Sequence, residues 1–530
     1  MTIAALVASR AAVDGSRAAV ISVAEGRELT YRELDESANR VANGLIGLGV
    51  GPGDRIACWM STSIAYLQLY IAVGKIGAVI VPTNERYVAA EAEYQFEDCD
   101  PRVIIADNER LSRLGRDYRD LSPTVLIALE DDPPVECSVR FCDLLAGSSQ
   151  PPGTVVDPDS PMIIGYTSGT TGFPKGAILT HAGVKALARI NAIGNRLPVG
   201  SIAIFGGSMS FTASVPAIFM THLYLSGTVV IVPGREPEVV GRAIQRYGAN
   251  FASVAPPLVD EYARSWREHP EWISSLRSIL QAAGKVSPEK LLPFNEVLQG
   301  RLVLGWGMTE NCGGLVTVTT ARDMRSALGG DTRVLDSVGR PVPDCVVRVQ
   351  GPDGRVLPRD GESVGELVFR SSSLMTGYWG RAGCHDNSLR DGWYHSGDLG
   401  VMDADGYVYI RERRSDLIVS GGMNVYPSEV ERVIDQMEQV TESCVVPVPH
   451  PRWGQAVAAV IACRPGARLE EQDVIGYVRT RLAGFKKPTR IIFVDEIPKS
   501  VSGKIQRWQL AGLFGGGEQE AAGRPAENDR

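Results

Sequence analysis

The sequence is poor in histidine, lacks paired cysteines and has no basic surplus, and each shortage excludes a class of protein. Its 530 residues include six histidines and nine cysteines, with no Cys-x-x-Cys pair. This distribution argues against a structural zinc site and a disulfide scaffold. A net charge of −8 is too acidic for a typical nucleic-acid binder, so we expect no nucleic-acid partner. The odd number of thiols is typical of reduced, mostly buried cysteines, and we expect a cytoplasmic protein.

Long hydrophobic runs are also missing. The most apolar stretch extends from Tyr66 to Val81, but Gln68 and Lys75 interrupt it, and it is too short to cross a bilayer. We therefore predict a buried helix followed by a buried strand, and no membrane span. No basic leader precedes the apolar residues at the N-terminus, so we expect no secretory signal.

The sequence does contain enough apolar residues for a large core. Hydrophobic residues make up 44% of the chain and charged residues 22%, which is the balance of a folded globular protein. Strand patterns alternate with helical patterns from about residue 30 to residue 304, and this alternation favours α/β units with parallel sheets. From about Val338, short strands predict a smaller β-rich piece. Helical and strand patterns resume after the charged residues 411–416 and predict a further small domain.

The strongest motif directly follows the predicted strand 162–166. Glycines let backbone N–H groups turn toward an anion, hydroxyl groups add donors, and Lys175 adds a positive charge. This composition predicts a phosphate-binding loop that differs from the P-loop, because it has no Gly-Lys-Ser/Thr ending. A surface loop rich in serine and threonine is the alternative interpretation. The candidate binding residues are Thr167, Ser168, Gly169, Thr170, Thr171, Gly172 and Lys175.

This loop resembles the signature of the adenylate-forming enzymes, which include acyl- and aryl-CoA synthetases, amino-acid adenylation domains and firefly-type luciferases. Four further segments resemble motifs of that family in the expected order, and the resemblance extends from about Leu29 to Arg507. Five ordered matches, hundreds of residues apart, make the resemblance specific. The four segments are Gly305-Trp306-Gly307-Met308-Thr309-Glu310, Tyr394-His395-Ser396-Gly397-Asp398, the hinge and glycine loop within 413–431, and Pro498 to Lys504.

The resemblance implies an α/β protein in two main parts. A large N-terminal AMP-binding region, residues 1–412, would contain parallel-type sheets and a small β-barrel-like subdomain. A hinge at residues 413–416 would lead to a small, mobile C-terminal α+β domain, residues 417–514. The tail, residues 515–530, is rich in Gly, Glu, Ala and Arg, and we expect it to be disordered.

The resemblance also implies the activity of an acid–CoA ligase. A carboxylic acid and ATP would give an acyl-adenylate and pyrophosphate, and the thiol of coenzyme A would then displace AMP. ATP, Mg²⁺ and coenzyme A are the expected cofactors, and a small carboxylic acid or its acyl-adenylate is the expected substrate. An enzyme of one half-reaction, a ligase that loads a separate carrier protein, and a non-catalytic nucleotide-binding protein stay open as alternatives, as does a homodimer.

Three residues are the catalytic candidates. Bringing a carboxylate to a phosphate requires positive charge and fixed donors, and the resemblance gives the charged role to Lys504. Thr309 and Glu310 follow the predicted strand 302–304, and Glu310 would hold Mg²⁺ through its carboxylate oxygens. A carboxylate at the start of a helix, next to Thr309 as the cap, is the competing interpretation.

The binding candidates also follow from the resemblance. Asp398 would accept hydrogen bonds from the ribose hydroxyls with support from Arg413, and Trp306 would stack on adenine. Gly421 and Gly422 would line a tunnel for the pantetheine arm, although composition favours a plain tight turn equally. The other candidates border the nucleotide or the acid, and they are Gly284 and Gly307 for the nucleotide and Phe211, Thr212, Gly305 and Met308 for the acid.

Three positions depart from the family pattern. Thr212 stands where amino-acid adenylating domains carry an aspartate, so no carboxylate is available there for an ammonium group and an α-amino acid substrate is disfavoured. Trp306 replaces the commoner tyrosine. Ser415 occupies the usual hinge position, where any residue that absorbs a backbone rotation can serve.

Overall fold

The computed structural model describes residues 2–114, 125–137, 139–167, 174–282, 284, 286–380, 388–413, 417–464, 466–498, 505 and 507–514. Contacts divide these residues into two compact units, one before and one after the gap at 414–416. Several sequence predictions lie outside the described residues. They are the loop residues Ser168, Gly169, Thr170, Thr171 and Gly172, the hinge residues 414–416, Lys504 and the tail.

A seven-stranded sheet occupies the first part of unit 1 and is parallel except at one edge. The exception is the antiparallel pair formed by Pro161–Thr167 and Lys175–Thr180, in which Thr167 lies opposite Lys175. The hairpin therefore fixes both ends of the candidate phosphate loop. From edge to edge, the strands are β7 (Val139–Arg140), β6 (Val125–Ala128), β5 (Val103–Ala106), β3 (Arg55–Trp59), β4 (Val79–Pro82), β8 (Pro161–Thr167) and β9 (Lys175–Thr180).

A nine-stranded sheet forms the second layer of strands in unit 1. Its central strands are parallel, as the strand–helix alternation predicts, and the pairs at both edges are antiparallel. From edge to edge, the strands are β16 (Arg340–Pro341), β15 (Gly314–Val318), β14 (Leu302–Met308), β13 (Ser278–Gln281), β12 (Phe251–Val254), β10 (Ile202–Phe205), β11 (Thr228–Ile231), β1 (Ala18–Ser22) and β2 (Arg27–Thr30).

Helices connect these strands. Thr30 caps the second helix, because its hydroxyl accepts from the Glu33 N–H while the Glu33 carboxylate accepts from the Thr30 N–H. The third helix and β4 are buried along almost their whole lengths, which confirms the prediction for the apolar stretch 66–81. The helices are α1 (Ile3–Val13), α2 (Tyr31–Gly47), α3 (Ile64–Ile76), α4 (Ala89–Cys99), α5 (Asn108–Leu111), α6 (Phe141–Leu145), α7 (His181–Gly194), α8 (Thr221–Tyr224), α9 (Pro237–Tyr247), α10 (Val259–Glu268), α11 (Pro288–Val297) and α12 (Ala321–Leu328).

The predicted β-rich piece is a five-stranded antiparallel sheet that completes unit 1. Residues 345–350 alternate between exposed and buried positions, as expected for a strand with one face on the core. The strands are, in order, β17 (Cys345–Gln350), β18 (Gly365–Ser371), β20 (Trp393–Met402) and β19 (Leu389–Arg390), and β21 (Val408–Arg413) also pairs with β20.

Unit 2 has the α+β architecture that the sequence predicts. A buried cluster that includes Val430, Val445 and Val474 packs the helices 427–434 and 471–479 on one face of a five-stranded sheet. A second cluster, which includes Val446 and Leu510, packs the helix 507–512 on the other face. The strands are β23 (Met423–Val425), β22 (Ile418–Ser420), β25 (Gly454–Cys463), β24 (Val440–His450) and β26 (Arg490–Val494), and the helices are α13 (Pro427–Ile434), α14 (Glu471–Arg479) and α15 (Arg507–Gly512). Among the described residues of both units, no helix combines the length and hydropathy of a membrane span.

Candidate active site

The end of β14 fixes the position of Glu310. A single turn of 3-10 helix, Thr309–Asn311, follows the strand, so Thr309 does not cap a longer helix. The Glu310 carbonyl accepts a hydrogen bond of 2.8 Å from the Met375 N–H. The Asn311 side chain donates to the Leu315 carbonyl at 3.1 Å and accepts from the Ser373 hydroxyl at 2.8 Å. The turn is therefore held from both sides, and Glu310 is buried within it.

The Glu310 side chain meets Tyr378, which the sequence analysis did not single out. The Tyr378 hydroxyl donates to Glu310 Oε1 at 2.8 Å. The Lys175 ammonium lies 5.4 Å from the centre of the Tyr378 ring, within the range of a cation–π contact. Tyr378 thus contacts both the candidate magnesium ligand and the candidate phosphate-binding lysine.

Backbone pairing puts Tyr378 in this place. Residues 376–379 lie along β9, where the Ile178 N–H donates to the Gly377 carbonyl at 2.9 Å and the Trp379 N–H donates to the Gly176 carbonyl at 2.8 Å. Tyr378 itself forms an isolated antiparallel bridge with Ala177. Since nearly 200 residues separate the two segments in sequence, no local pattern indicates this contact.

Asp398 is held by Trp306. The indole Nε1–H donates to Asp398 Oδ2 at 2.9 Å, and the two side chains come from different sheets, β14 and β20. The Asp398 backbone also pairs with Arg413 across β20 and β21, although the Arg413 side chain lies outside the described residues. The two predicted ribose-binding positions are therefore neighbours, and stacking of Trp306 on adenine stays a prediction.

A chain of aromatic rings links the two carboxylates. The Tyr378 and Tyr394 hydroxyl oxygens are 3.3 Å apart. The Tyr394 ring lies 5.4 Å from the Phe369 ring, and Phe369 lies 5.8 Å from Trp306 in an edge-on arrangement. Glu310 and Asp398, which are 88 residues apart in sequence, thus contact opposite ends of one aromatic cluster.

Glycines in β14 allow β15 to approach closely. The pairing register shifts between Trp306 and Gly307, because Val316 of β15 is an extra residue with no partner in β14. A Cβ atom on Gly307 would overlap the Gly314 carbonyl oxygen, and one on Gly305 would overlap the Leu315 side chain. Met308, half-buried, ends the strand and accepts a hydrogen bond of 3.0 Å from the Gly313 N–H. Gly305 and Gly307 therefore have a packing role, whatever they border when ligands bind.

The predicted acid-pocket segment packs against β8. Thr212 is buried, and a Cβ atom on Gly165 would overlap its methyl group. Phe211 is only half-buried, and its carbonyl accepts from the Ser214 N–H at 2.8 Å. Thr212 is therefore close to the strand that leads to the candidate phosphate loop. The other predicted glycine, Gly284, accepts from the Gln281 side chain at 2.9 Å.

In unit 2, Gly421 and Gly422 form the two-residue turn between β22 and β23. Their φ angles are 59° and 81°, both in the left-handed region that a type I′ hairpin turn requires. The Gly421 N–H donates to the Trp453 carbonyl at 3.0 Å. The tight turn is thus present, and the pantetheine tunnel stays a prediction.

Lys486 belongs to the same unit and is not a surface charge. Its ammonium lies 2.7 Å from Glu429 Oε1, and both side chains are buried. Lys486 therefore forms a structural ion pair inside unit 2.

The donor set at Glu310 fits a magnesium ion carried on phosphate groups. Among the described residues, no three His, Cys, Asp or Glu side chains converge as a metal cluster would require. Mg²⁺ on a nucleotide typically takes one or two protein carboxylates and completes its shell with phosphate oxygens and water. The Glu310 carboxylate, fixed by its turn and close to Lys175 through Tyr378, meets that requirement.

The fold is that of an adenylate-forming enzyme, and comparison with known proteins agrees. Residues 7–379 match the family model of the AMP-binding enzymes, and residues 429–504 match that of the AMP-binding enzyme C-terminal domain. The chain therefore belongs to the AMP-binding family, which includes the acyl- and aryl-CoA synthetases.

Three similar proteins illustrate the range of this family. A feruloyl-CoA synthase of an Amycolatopsis species is 33% identical over 495 residues, which cover 92% of this chain and 95% of that protein. A fatty acid–[acyl-carrier-protein] ligase of Streptomyces coeruleorubidus is 31% identical over 505 residues, 93% of each chain. The solved structure of an amide bond synthetase from Marinactinospora thermotolerans matches with a TM-score of 0.84 at 26% identity, covering 97% of this chain and 100% of that one.

Proposed function

We propose that this protein is an ATP-dependent ligase that joins a carboxylic acid to coenzyme A, with an acyl-adenylate between two half-reactions. The observation that carries the proposal is the attachment of two fixed carboxylates, Glu310 and Asp398, to one aromatic cluster that also contacts Lys175. One carboxylate suits the cation that accompanies a triphosphate, and the other suits the hydroxyls of a ribose. A basic residue at the end of the phosphate loop suits the phosphates themselves.

In the first half-reaction, a carboxylate oxygen of the acid attacks the α-phosphate of ATP and pyrophosphate leaves. Two anions must approach each other, so the protein has to supply positive charge and fixed donors. We assign these to Lys175, to the loop residues 168–172 and to Lys504. Glu310 would hold Mg²⁺, which neutralises phosphate charge when bound, and Asp398 would accept from the ribose hydroxyls with Arg413 in support.

In the second half-reaction, the thiol of coenzyme A attacks the acyl carbonyl carbon and AMP leaves. Gly421 and Gly422 present only backbone, so a turn built from them can border a narrow channel for the pantetheine arm. We assign the movement of the small C-terminal domain between the two half-reactions to a rotation at the hinge, residues 413–416.

The acid and the acceptor are parts of the same proposal. Thr212 offers no carboxylate for an ammonium group, so we expect an acid without an α-amino group. Coenzyme A is the proposed acceptor, by analogy with the feruloyl-CoA synthase. A carrier protein is the second candidate, favoured by the similarity to the Streptomyces ligase.

The test separates the half-reactions. Pyrophosphate release is measured with a panel of aromatic and aliphatic acids, and thioester formation is measured from synthetic acyl-AMP with coenzyme A or a carrier protein. Lys504→Ala should slow adenylate formation by about 100-fold or more, because it removes charge at the reacting phosphate, and should spare the thioester step. Gly422→Leu should spare adenylate formation and slow the thioester step, because its side chain would block the proposed pantetheine channel. Gly466, with the same φ of 81°, provides the control Gly466→Leu, which should spare both steps.

Two results would contradict the proposal. One is the absence of pyrophosphate release with every acid. The other is an equal loss of both half-reactions in Lys504→Ala and Gly422→Leu, which would show that the two residues do not serve different steps.

A further inference from the structure

The hydrogen bond between Trp306 and Asp398 is shielded from water. Trp306 is 4% exposed and Asp398 is 3% exposed, and the bond length is 2.9 Å. Hydrogen bonds to an ionised group are stronger than neutral ones, and low local polarity strengthens them further. This bond therefore limits the rotation of the Asp398 side chain.

The backbone of Asp398 is fixed by its own sheet. The Asp398 N–H donates to the Ser396 hydroxyl at 3.1 Å, and that hydroxyl donates to the Leu367 carbonyl at 2.6 Å. Trp306, in contrast, reaches the carboxylate from the nine-stranded sheet. The backbone and the side chain of Asp398 are thus set by two different sheets.

Trp306 itself has little freedom to move away. Its backbone pairs with Thr317 of β15, and the edge-on contact with Phe369, at a ring distance of 5.8 Å, holds the indole plane. Its N–H is consequently kept on Asp398 Oδ2.

We propose that Trp306 is a positioning residue for ribose recognition: its indole N–H holds Asp398 in the orientation in which the carboxylate accepts from the ribose hydroxyls of ATP. This inference rests on the proposed role of Asp398 in the ATP site. It assigns part of the selectivity for a ribonucleotide to the residue at position 306. A tyrosine there would carry its donor, the phenol O–H, at the para position of its ring and not at the position of the indole N–H.

The experiment removes the indole N–H, first with the shape of the side chain kept and then with a smaller ring. Trp306 is replaced by 3-benzothienylalanine, in which sulfur takes the place of the N–H, and separately by Trp306→Phe. Pyrophosphate release is then measured with ATP, 2′-deoxy-ATP and 3′-deoxy-ATP. We expect KM for ATP to rise about tenfold, as for the loss of one hydrogen bond to a charged group. The kcat should change much less, and the preference for ATP over the deoxy analogues should fall by a similar factor.

Two comparisons complete the test. Trp266→Phe removes another buried indole N–H, which donates to the Pro237 carbonyl at the same distance of 2.9 Å, and should leave nucleotide preference unchanged. In an Asp398→Ala background, the change at Trp306 should have no further effect on that preference, because the group it positions is gone.

The outcomes are distinct. If the isostere raises KM equally for all three nucleotides, or leaves the preference for ATP intact while Asp398→Ala removes it, Trp306 does not position Asp398 and the inference is overturned. If Asp398→Ala itself leaves the preference intact, the proposed ribose site is wrong and the inference fails with it.

Discussion

The two carboxylates of the candidate site each accept a hydrogen bond from an aromatic side chain, but the donors differ in kind. Asp398 accepts from the indole nitrogen of Trp306 at 2.9 Å, and Glu310 accepts from the phenol of Tyr378 at 2.8 Å. An indole N–H can only donate, whereas a phenol oxygen donates and accepts. The Tyr378 oxygen also lies 3.3 Å from the Tyr394 hydroxyl, so it has a second partner within reach.

This difference matches the two proposed ligands. To accept hydrogen bonds from a ribose, the Asp398 carboxylate should keep one orientation. The Trp306 indole N–H can only donate, so it suits that requirement. In the proposed function, the Glu310 oxygens would bind the magnesium ion that accompanies the nucleotide, and this would compete with the hydrogen bond from Tyr378. Tyr378, which is half-buried, could then direct its hydroxyl hydrogen to Tyr394 and keep a hydrogen-bond partner.

The largest expected effect comes from removing the fixed carboxylate. Asp398→Ala should raise KM for ATP by about 100-fold, because hydrogen bonds to a charged group contribute roughly 1.5–3 kcal/mol each. The Mg²⁺ concentration for half-maximal rate should stay unchanged. Steady-state pyrophosphate release at several ATP and Mg²⁺ concentrations measures both, and a shift in the Mg²⁺ requirement would show that the two carboxylates do not act separately.

The opposite pattern is expected at the other carboxylate. Glu310→Gln keeps the side-chain shape but removes the charge that a hard cation prefers, so the Mg²⁺ requirement should rise about tenfold. The preference for ATP over 2′-deoxy-ATP should be retained. Titration of the variant with Mg²⁺ at saturating ATP tests this, and an unchanged requirement would exclude Glu310 as the magnesium ligand.

A smaller effect is expected from removing the Tyr378 hydroxyl, which can donate to Glu310 or to Tyr394. Tyr378→Phe should change the Mg²⁺ requirement by about fivefold or less, since its hydrogen bond gives way when the ion binds, and such bonds contribute about 1 kcal/mol net. The matched control is Tyr31→Phe, which removes a buried hydroxyl that donates to the Gly227 carbonyl at 2.7 Å. A rise in the Mg²⁺ requirement as large as that of Glu310→Gln would contradict this and show that Tyr378 is needed for magnesium binding.

The smallest effect is expected from Phe369, which lies in the aromatic cluster between Trp306 and Tyr394. Phe369→Leu should lower the free energy of unfolding by about 1–2 kcal/mol, as for a modest cavity in a core. It should alter the ATP KM and the Mg²⁺ requirement only slightly and together, because Phe369 contacts both Trp306 and Tyr394. Urea denaturation and the same kinetic titrations check this, and a change confined to one ligand would argue against a shared cluster.

Much of the fold could be predicted from local patterns. Alternating strand and helix signals indicated the parallel sheets, because such signals depend on neighbours in sequence. The motifs likewise identified Glu310 and Asp398 as candidates. Tyr378 was missed, since its contact with Glu310 requires residues 376–379 to pair with β9. The bond from Trp306 to Asp398 was missed for the same reason, because it joins two sheets.

The buried pair of Lys486 and Glu429 has a consequence for how this domain can diverge among relatives. Loss of one partner would leave an uncompensated buried charge, at a cost of about 3–5 kcal/mol, whereas joint replacement by apolar residues is often neutral. Each residue is therefore acceptable only in the presence of the other. Sequences that have changed at position 486 should have changed at position 429 as well, and the two positions should be inherited as a unit.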